Sequence, residues 1–125
     1  RSGFINWKQN IDSNIKPIII NELIFTITND GLFFVVNKKS GDVLRITNVY
    51  NQLKKRKKRK VKPIGFIIDP NKIYLTLNNG RILMINIANG KTESIFKIGS
   101  DKISKPFINK DYVFIVKNNE IIKLN

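Results

Sequence analysis

Apolar residues fall along this chain in short runs, and polar turn residues separate the runs. β-Branched and aromatic residues dominate the runs, while Asn, Asp and Gly dominate the gaps. That pattern carries little helical period. It is the signature of consecutive short strands. The predicted strands are Leu23–Thr28, Leu32–Val36, Val43–Tyr50, Ile64–Ile68, Ile73–Leu77, Arg81–Ile87, Thr92–Ile98, Phe107–Asn109, Tyr112–Val116 and Glu120–Leu124. Two segments, "TNDGL" and "LNNGR", place Asp-Gly or Asn-Gly between apolar runs. Such pairs accept the positive φ of a tight hairpin. "KSGDV" and "ANGKT" repeat the device one strand later. No helical stretch intervenes, which argues against βαβ units. The expected fold is all-β, built of antiparallel meanders.

The meanders repeat. Lys16-Pro17 recurs as Lys62-Pro63 and again as Lys105-Pro106. Gly31 recurs as Gly80 and Gly41 as Gly90, an offset of 49 in both cases. A four-strand unit at this period reads as a β-propeller blade, a period that WD40-like repeats share. The third copy stops after what would be its third strand. The expected organisation is a last strand of a preceding blade over 1–8 and a blade over 16–50. A basic connecting loop over 51–62, a second blade over 63–98 and an incomplete blade over 105–125 follow.

Composition adds a strong charge. The chain has 23 Lys and Arg against 9 Asp and Glu, a formal charge of +14. Seven consecutive basic residues, Lys54, Lys55, Arg56, Lys57, Lys58, Arg59 and Lys60, supply half of it. Such a charge favours nucleic acid, anionic lipid or acidic protein as partners. The run could clamp phosphates, releasing counterions from nucleic acid or binding anionic headgroups. It contains no aromatic residue for base stacking. It lies at a blade-to-blade connection, outside the repeat, so the simpler reading is a solvated loop.

The chain holds no Cys and no His, which removes disulfides, thiolate or imidazole metal sites and His- or Cys-based catalysis. Most of the nine carboxylates sit at turns, where Asp bonds its own backbone. No pair is marked out for general acid–base work, and the glycines are explained by turns. Trp7, Tyr50, Tyr74 and Tyr112 are expected to pack in the core or between blades.

At the corner between third and fourth strands the repeats resemble the PQQ-like β-propeller family. That family's repeat runs as a strand ending near "ALD", two linking residues, "TG", three residues and Trp. In "VVNKKSGDVLRI" and "INIANGKTESIF" the Gly is kept at Gly41 and Gly90, and Asn37 and Asn86 replace the Asp. Ile46 and Phe96 lie near the Trp position. "SGFINW" is the best match, with Gly3, three residues and then Trp7. The resemblance covers nearly the whole chain and implies a C-terminal segment of a longer ring of seven or eight blades.

By resemblance the nearest relatives are BamB-like lipoproteins of the outer-membrane β-barrel assembly machinery, which are periplasmic and bind proteins. The dehydrogenase members bind a quinone and Ca²⁺ and use an adjacent Cys pair that this chain does not have. The expected function is therefore a noncatalytic scaffold for protein–protein interaction, without cofactor, in the periplasm or cell envelope. Two alternatives stand beside it: a quinoprotein dehydrogenase fragment, and a binder of nucleic acid or anionic membrane through Lys54–Lys60. The fragmentary inventory also predicts a homodimer. Gly3, Phe4, Ile5, Asn6 and Trp7 of one chain would complete the last blade of the other, giving a six-bladed ring.

Overall fold

Hairpin turns gather the chain into three antiparallel sheets in a computed structural model that describes residues 4–54, 60–99 and 103–124. The first sheet has the order β1 (Ile18–Ile20), β2 (Leu23–Ile27), β3 (Leu32–Asn37), β4 (Val43–Asn48). The second repeats it with β5 (Pro63–Asp69), β6 (Lys72–Leu77), β7 (Arg81–Asn86) and β8 (Thr92–Lys97). The third holds β9 (Phe107–Asn109), β10 (Tyr112–Lys117) and β11 (Glu120–Lys123). The short strand β1 is absent from the predicted strands. It pairs with β2 across a two-residue turn in which Asn21 takes a φ of 53°.

Strand register confirms the offset of 49. Phe33 pairs with Thr47, and Ile82 pairs with Phe96. Thr47, not Ile46, is therefore the counterpart of Phe96 at the corner, one residue from the expected position. The Lys-Pro alignment also shifts. Ile20, Asp69 and Asn109 occupy the same place in their sheets, opposite Leu23, Lys72 and Tyr112. Counting back, Lys16 and Lys105 correspond to Gly65, not to Lys62. A register shift between Pro63 and Gly65 separates the Lys-Pro signal of the second copy from the frame of its sheet.

Alternation along the strands gives each sheet two apolar faces, and stacking covers them in order. Phe25, Ile27, Phe33 and Val35 of the first sheet pack against Ile73, Leu75, Leu77, Leu83 and Ile85 of the second. On its other face the second sheet presents Ile82 and Tyr74 to Ile115 and Ile122 of the third. Arg45 ties the first interface: its guanidinium lies 5.7 Å from the Phe33 ring centre and donates to Ile87 O at 2.8 Å.

Tyr50 closes the top of the first sheet. It is 1% exposed, and its hydroxyl is buried without a hydrogen-bond partner among the described residues. Burial, and then the nearby charge of Asp30, push its phenol above the ordinary range. Above about pH 10 the unfolded chain releases this proton while the folded chain keeps it, so stability falls as pH rises. Tyr50→Phe removes an unpartnered hydroxyl and leaves the ring, a change expected to be close to neutral. Urea denaturation should show no loss at pH 7 and a smaller loss above about pH 10 than in the parent. An equal alkaline loss in both proteins would refute the assignment. Some alkaline sensitivity should persist, because burial and Asp69 also raise Tyr74.

Candidate functional site

Three surfaces stand out: the groove between the innermost strands, the rim that carries the connections, and the open end sheet. The innermost strands β1, β5 and β9 converge on an open groove of about 660 Å³, lined by Lys16, Ile18, Phe66, Ile67, Lys105 and Phe107 among others. Gly65 makes this convergence feasible. A Cβ there would lie 2.6 Å from the Lys105 Cβ, closer than side-chain atoms pack. The groove is cationic and apolar, and among the described residues no carboxylate lines it. Sequence reasoning missed it, because the three segments lie far apart in the chain and only sheet stacking brings them together.

Antiparallel order sorts the loops onto two rims. The turns β2–β3, β6–β7 and β10–β11 share one rim with the connections β4–β5 and β8–β9. Main-chain bonds tie this rim together, among them Val49 N to Gly31 O at 2.8 Å, Ile98 N to Gly80 O at 2.8 Å, Asn78 N to Lys62 O at 2.9 Å and Ser104 N to Val116 O at 3.0 Å. Lys16, Lys54, Lys60, Lys62 and Lys105 are exposed on it. None of the five forms an ion pair among the described residues. Of the predicted basic run, Lys55, Arg56, Lys57, Lys58 and Arg59 lie outside the described residues. Both described ion pairs, Lys39–Glu22 and Lys72–Glu93, lie on the opposite rim. There Lys72 and Asn86 donate to the Glu93 carboxylate and hold it below the usual carboxylate range. Excess positive charge thus gathers on one rim.

The third sheet exposes an apolar face. Phe107 is 40% exposed, Tyr112 46%, Val116 38% and Ile121 72%. Cross-strand pairing puts them on one side: Phe107 opposite Phe114, and Val116 opposite Ile121. Phe107 and Phe114 stack with centres 5.6 Å apart, and Lys123 sits 4.0 Å from the Tyr112 ring centre. Tyr112 was expected in the core or between blades; it lies instead on this open face. β11 pairs with β10 alone among the described strands, so its outer edge is open. At the other end, the first sheet exposes Ile19, Leu44 and Ile46.

Of the predicted inter-chain strand, Gly3 lies outside the described residues, and 4–7 form no strand in the single chain. Phe4 and Ile5 are 85% and 76% exposed, and Asn6 is exposed as well. Trp7 is half-buried and packs, as expected of a corner Trp. Its Nε1 donates to Lys38 O at 3.0 Å, and its ring covers Gly41 so closely that a Cβ there would lie 2.5 Å away. Among the described residues no group of three or more His, Cys, Asp or Glu is placed to hold a metal ion.

Solved structures share this architecture. BamB from Moraxella catarrhalis superposes with a TM-score of 0.67 over 90% of this chain and 31% of its own, at 12% identity. The chain has a β-propeller fold. Its blades also match the quinohemoprotein alcohol dehydrogenase from Comamonas testosteroni, with a TM-score of 0.61 at 16% identity, covering 86% of this chain and 17% of the enzyme. The WD40 propeller domain of Doa1 gives 0.63 at 14% identity over 86% of this chain and 34% of that domain. The chain therefore spans about a third or less of each of these structures. No model of a protein family matches the sequence, and no curated protein matches it. The neighbours include both scaffolds and dehydrogenases, so the shared fold does not by itself select a function.

Proposed function

We propose that this propeller segment is a noncatalytic scaffold that binds protein at its third blade. The observation that carries this reading is the apolar face of β9–β11 beside the open edge of β11. A strand laid along that edge gains main-chain hydrogen bonds, and the face supplies apolar contacts that select alternate side chains. The likeness to BamB extends the reading to proteins of the bacterial envelope, where strand-rich clients abound. The quinoprotein alternative gains no support from the described residues: the carboxylates are scattered over turns, and the groove is lined by apolar residues with Lys16 and Lys105. The experiment is a titration with fluorescent peptides that copy amphipathic strands of outer-membrane β-barrels. Binding is expected, and Ile121→Lys should weaken it at least tenfold. Unchanged affinity in the variant would move the site elsewhere, and no binding by the parent would reject the scaffold reading.

A second reading rests on the polarised rim. Lys16, Lys54, Lys60, Lys62 and Lys105 face solvent without carboxylate partners, and the sequence adds five more basic residues between Lys54 and Lys60. A phosphate polymer on this rim would release counterions, so affinity should fall steeply as salt rises. Replacing Lys54–Lys60 with Ser and Gly should abolish retention on heparin and binding to duplex DNA. Retention at unchanged salt would show that the run is not the site.

A further inference from the structure

We propose that the groove between the innermost strands is a separate binding site, and that it takes the free carboxylate end of an apolar peptide. The site does not rest on the third-blade reading or on the basic run, and each of the three can fail alone.

The lining shows what the groove offers. Residues 64–67, within β5, border it without a gap, and so do residues 105–108, which run into β9. Successive side chains of a strand point to opposite faces. An unbroken run of lining residues therefore means that the edge of the strand borders the groove, and not one of its faces. β1, β5 and β9 pair with β2, β6 and β10 alone among the described strands, so their other edges carry main-chain groups without a sheet partner. Innermost edges face the axis in every blade of a propeller, which makes this groove a property of the repeat. Unpaired N–H and C=O groups match the main chain of a peptide. An alkyl chain would leave them to water. The volume, about 660 Å³, lies within the range of about 300–1,000 Å³ usual for pockets that bury a small ligand.

Two levels set the direction. Lys16, Gly65 and Lys105 share one level of the inner strands, and Ile18, Ile67 and Phe107 share the level two residues on. Along β5 the second level lies about 6–7 Å farther from the rim. The first level is cationic and the second apolar. A Cβ on Gly65 would meet the Lys105 Cβ at 2.6 Å and its Cδ at 3.6 Å, so the Lys105 stem lies over bare backbone. That contact anchors the stem and leaves the ammonium as the free end. Neither Lys16 nor Lys105 forms an ion pair among the described residues. A carboxylate at the lysine level, with an apolar side chain at the next, complements both. That combination is the last residue of an apolar peptide.

The test uses a fluorescent tetrapeptide of Leu and Ala with a free carboxylate, and the same peptide ending in an amide. The acid peptide should bind, and the amide about tenfold more weakly, the usual loss when a charge-assisted hydrogen bond goes. Lys105→Met and Lys16→Met keep an apolar stem and remove the charge. Each should weaken the acid peptide, and the double variant should bind acid and amide alike, with an unchanged far-ultraviolet spectrum. Replacing Lys54–Lys60 with Ser and Gly should leave the affinity for the acid peptide unchanged, and so should Ile121→Lys. Absence of binding, or equal affinity of the parent for acid and amide, overturns the proposal. Loss of binding in the Lys54–Lys60 variant also overturns it, by placing the anion on the basic run. Loss in Ile121→Lys overturns it by placing the peptide on the third blade. Decanoate that binds where the acid peptide does not would make the ligand a lipid carboxylate and overturn the peptide. None of these results rejects the scaffold reading, which is tested by barrel-strand peptides at β11.

Discussion

Phe33→Ala should lower the stability of this protein by about 3–5 kcal/mol, the usual cost of truncating a fully buried Phe. Phe33 is 0% exposed at the first blade-to-blade interface. Its ring stacks on Phe25 with centres 6.1 Å apart, and the Arg45 guanidinium rests 5.7 Å from its centre. Removing it opens a cavity between two sheets that cannot collapse freely, because their strands are held by hydrogen bonds. It also removes the surface on which Arg45 lies while reaching the Ile87 carbonyl of the next blade. Two blades should therefore loosen together. Urea denaturation checks the magnitude. A loss below about 1 kcal/mol would mean that the site relaxes and that the interface does not depend on this ring.

The second large effect is expected at Gly31. Its φ of +88° suits glycine and strains any other residue. A Cβ there would lie 2.3 Å from the Tyr50 ring, which is itself buried. Gly31→Ala should cost about 1–2 kcal/mol from the backbone and a further 1–3 from overpacking. The two sources can be separated. In a Tyr50→Ala background the overpacking is gone and only the backbone strain remains, so Gly31→Ala should cost less there than in the parent. A double-mutant cycle measures that difference, and strict additivity would show that the ring does not press on this turn.

Much of the fold was legible because it is written in local chemistry. The Gly31, Gly41, Gly80 and Gly90 turns are fixed by positions where the backbone needs positive φ, and all four adopt it. Their equal spacing revealed the repeat. The three-residue β1 was not among the predicted strands although the equally short β9 was, and no glycine marks the turn beside either: Asn21 and Lys110 take the positive φ. The Lys-Pro signal misled at the second copy because a register shift in β5 changes the count, while hydrogen bonding fixes the frame. Trp7 was legible as a packing residue. Its partner, the backbone around Gly41, was not, because that contact crosses from one repeat to the next.

The candidate surfaces were less legible. The basic run stands out in one dimension, but its rim is defined by the antiparallel sequence of turns, which also places Lys16 and Lys105 there. The apolar face of the third blade is not visible in its strands, because Tyr112, Phe114 and Val116 read like the covered residues Leu23, Phe25 and Ile27 of the first. Alternation determines that a strand has two apolar sides, and turn chemistry determines where it reverses. Those are short-range properties of bond geometry and solvation, and the sequence alone set them. Which side is covered depends on the neighbour that stacking supplies. Only the tertiary structure decided that Phe25 is buried while Tyr112 faces solvent, because burial is a property of the contact between sheets and not of either strand.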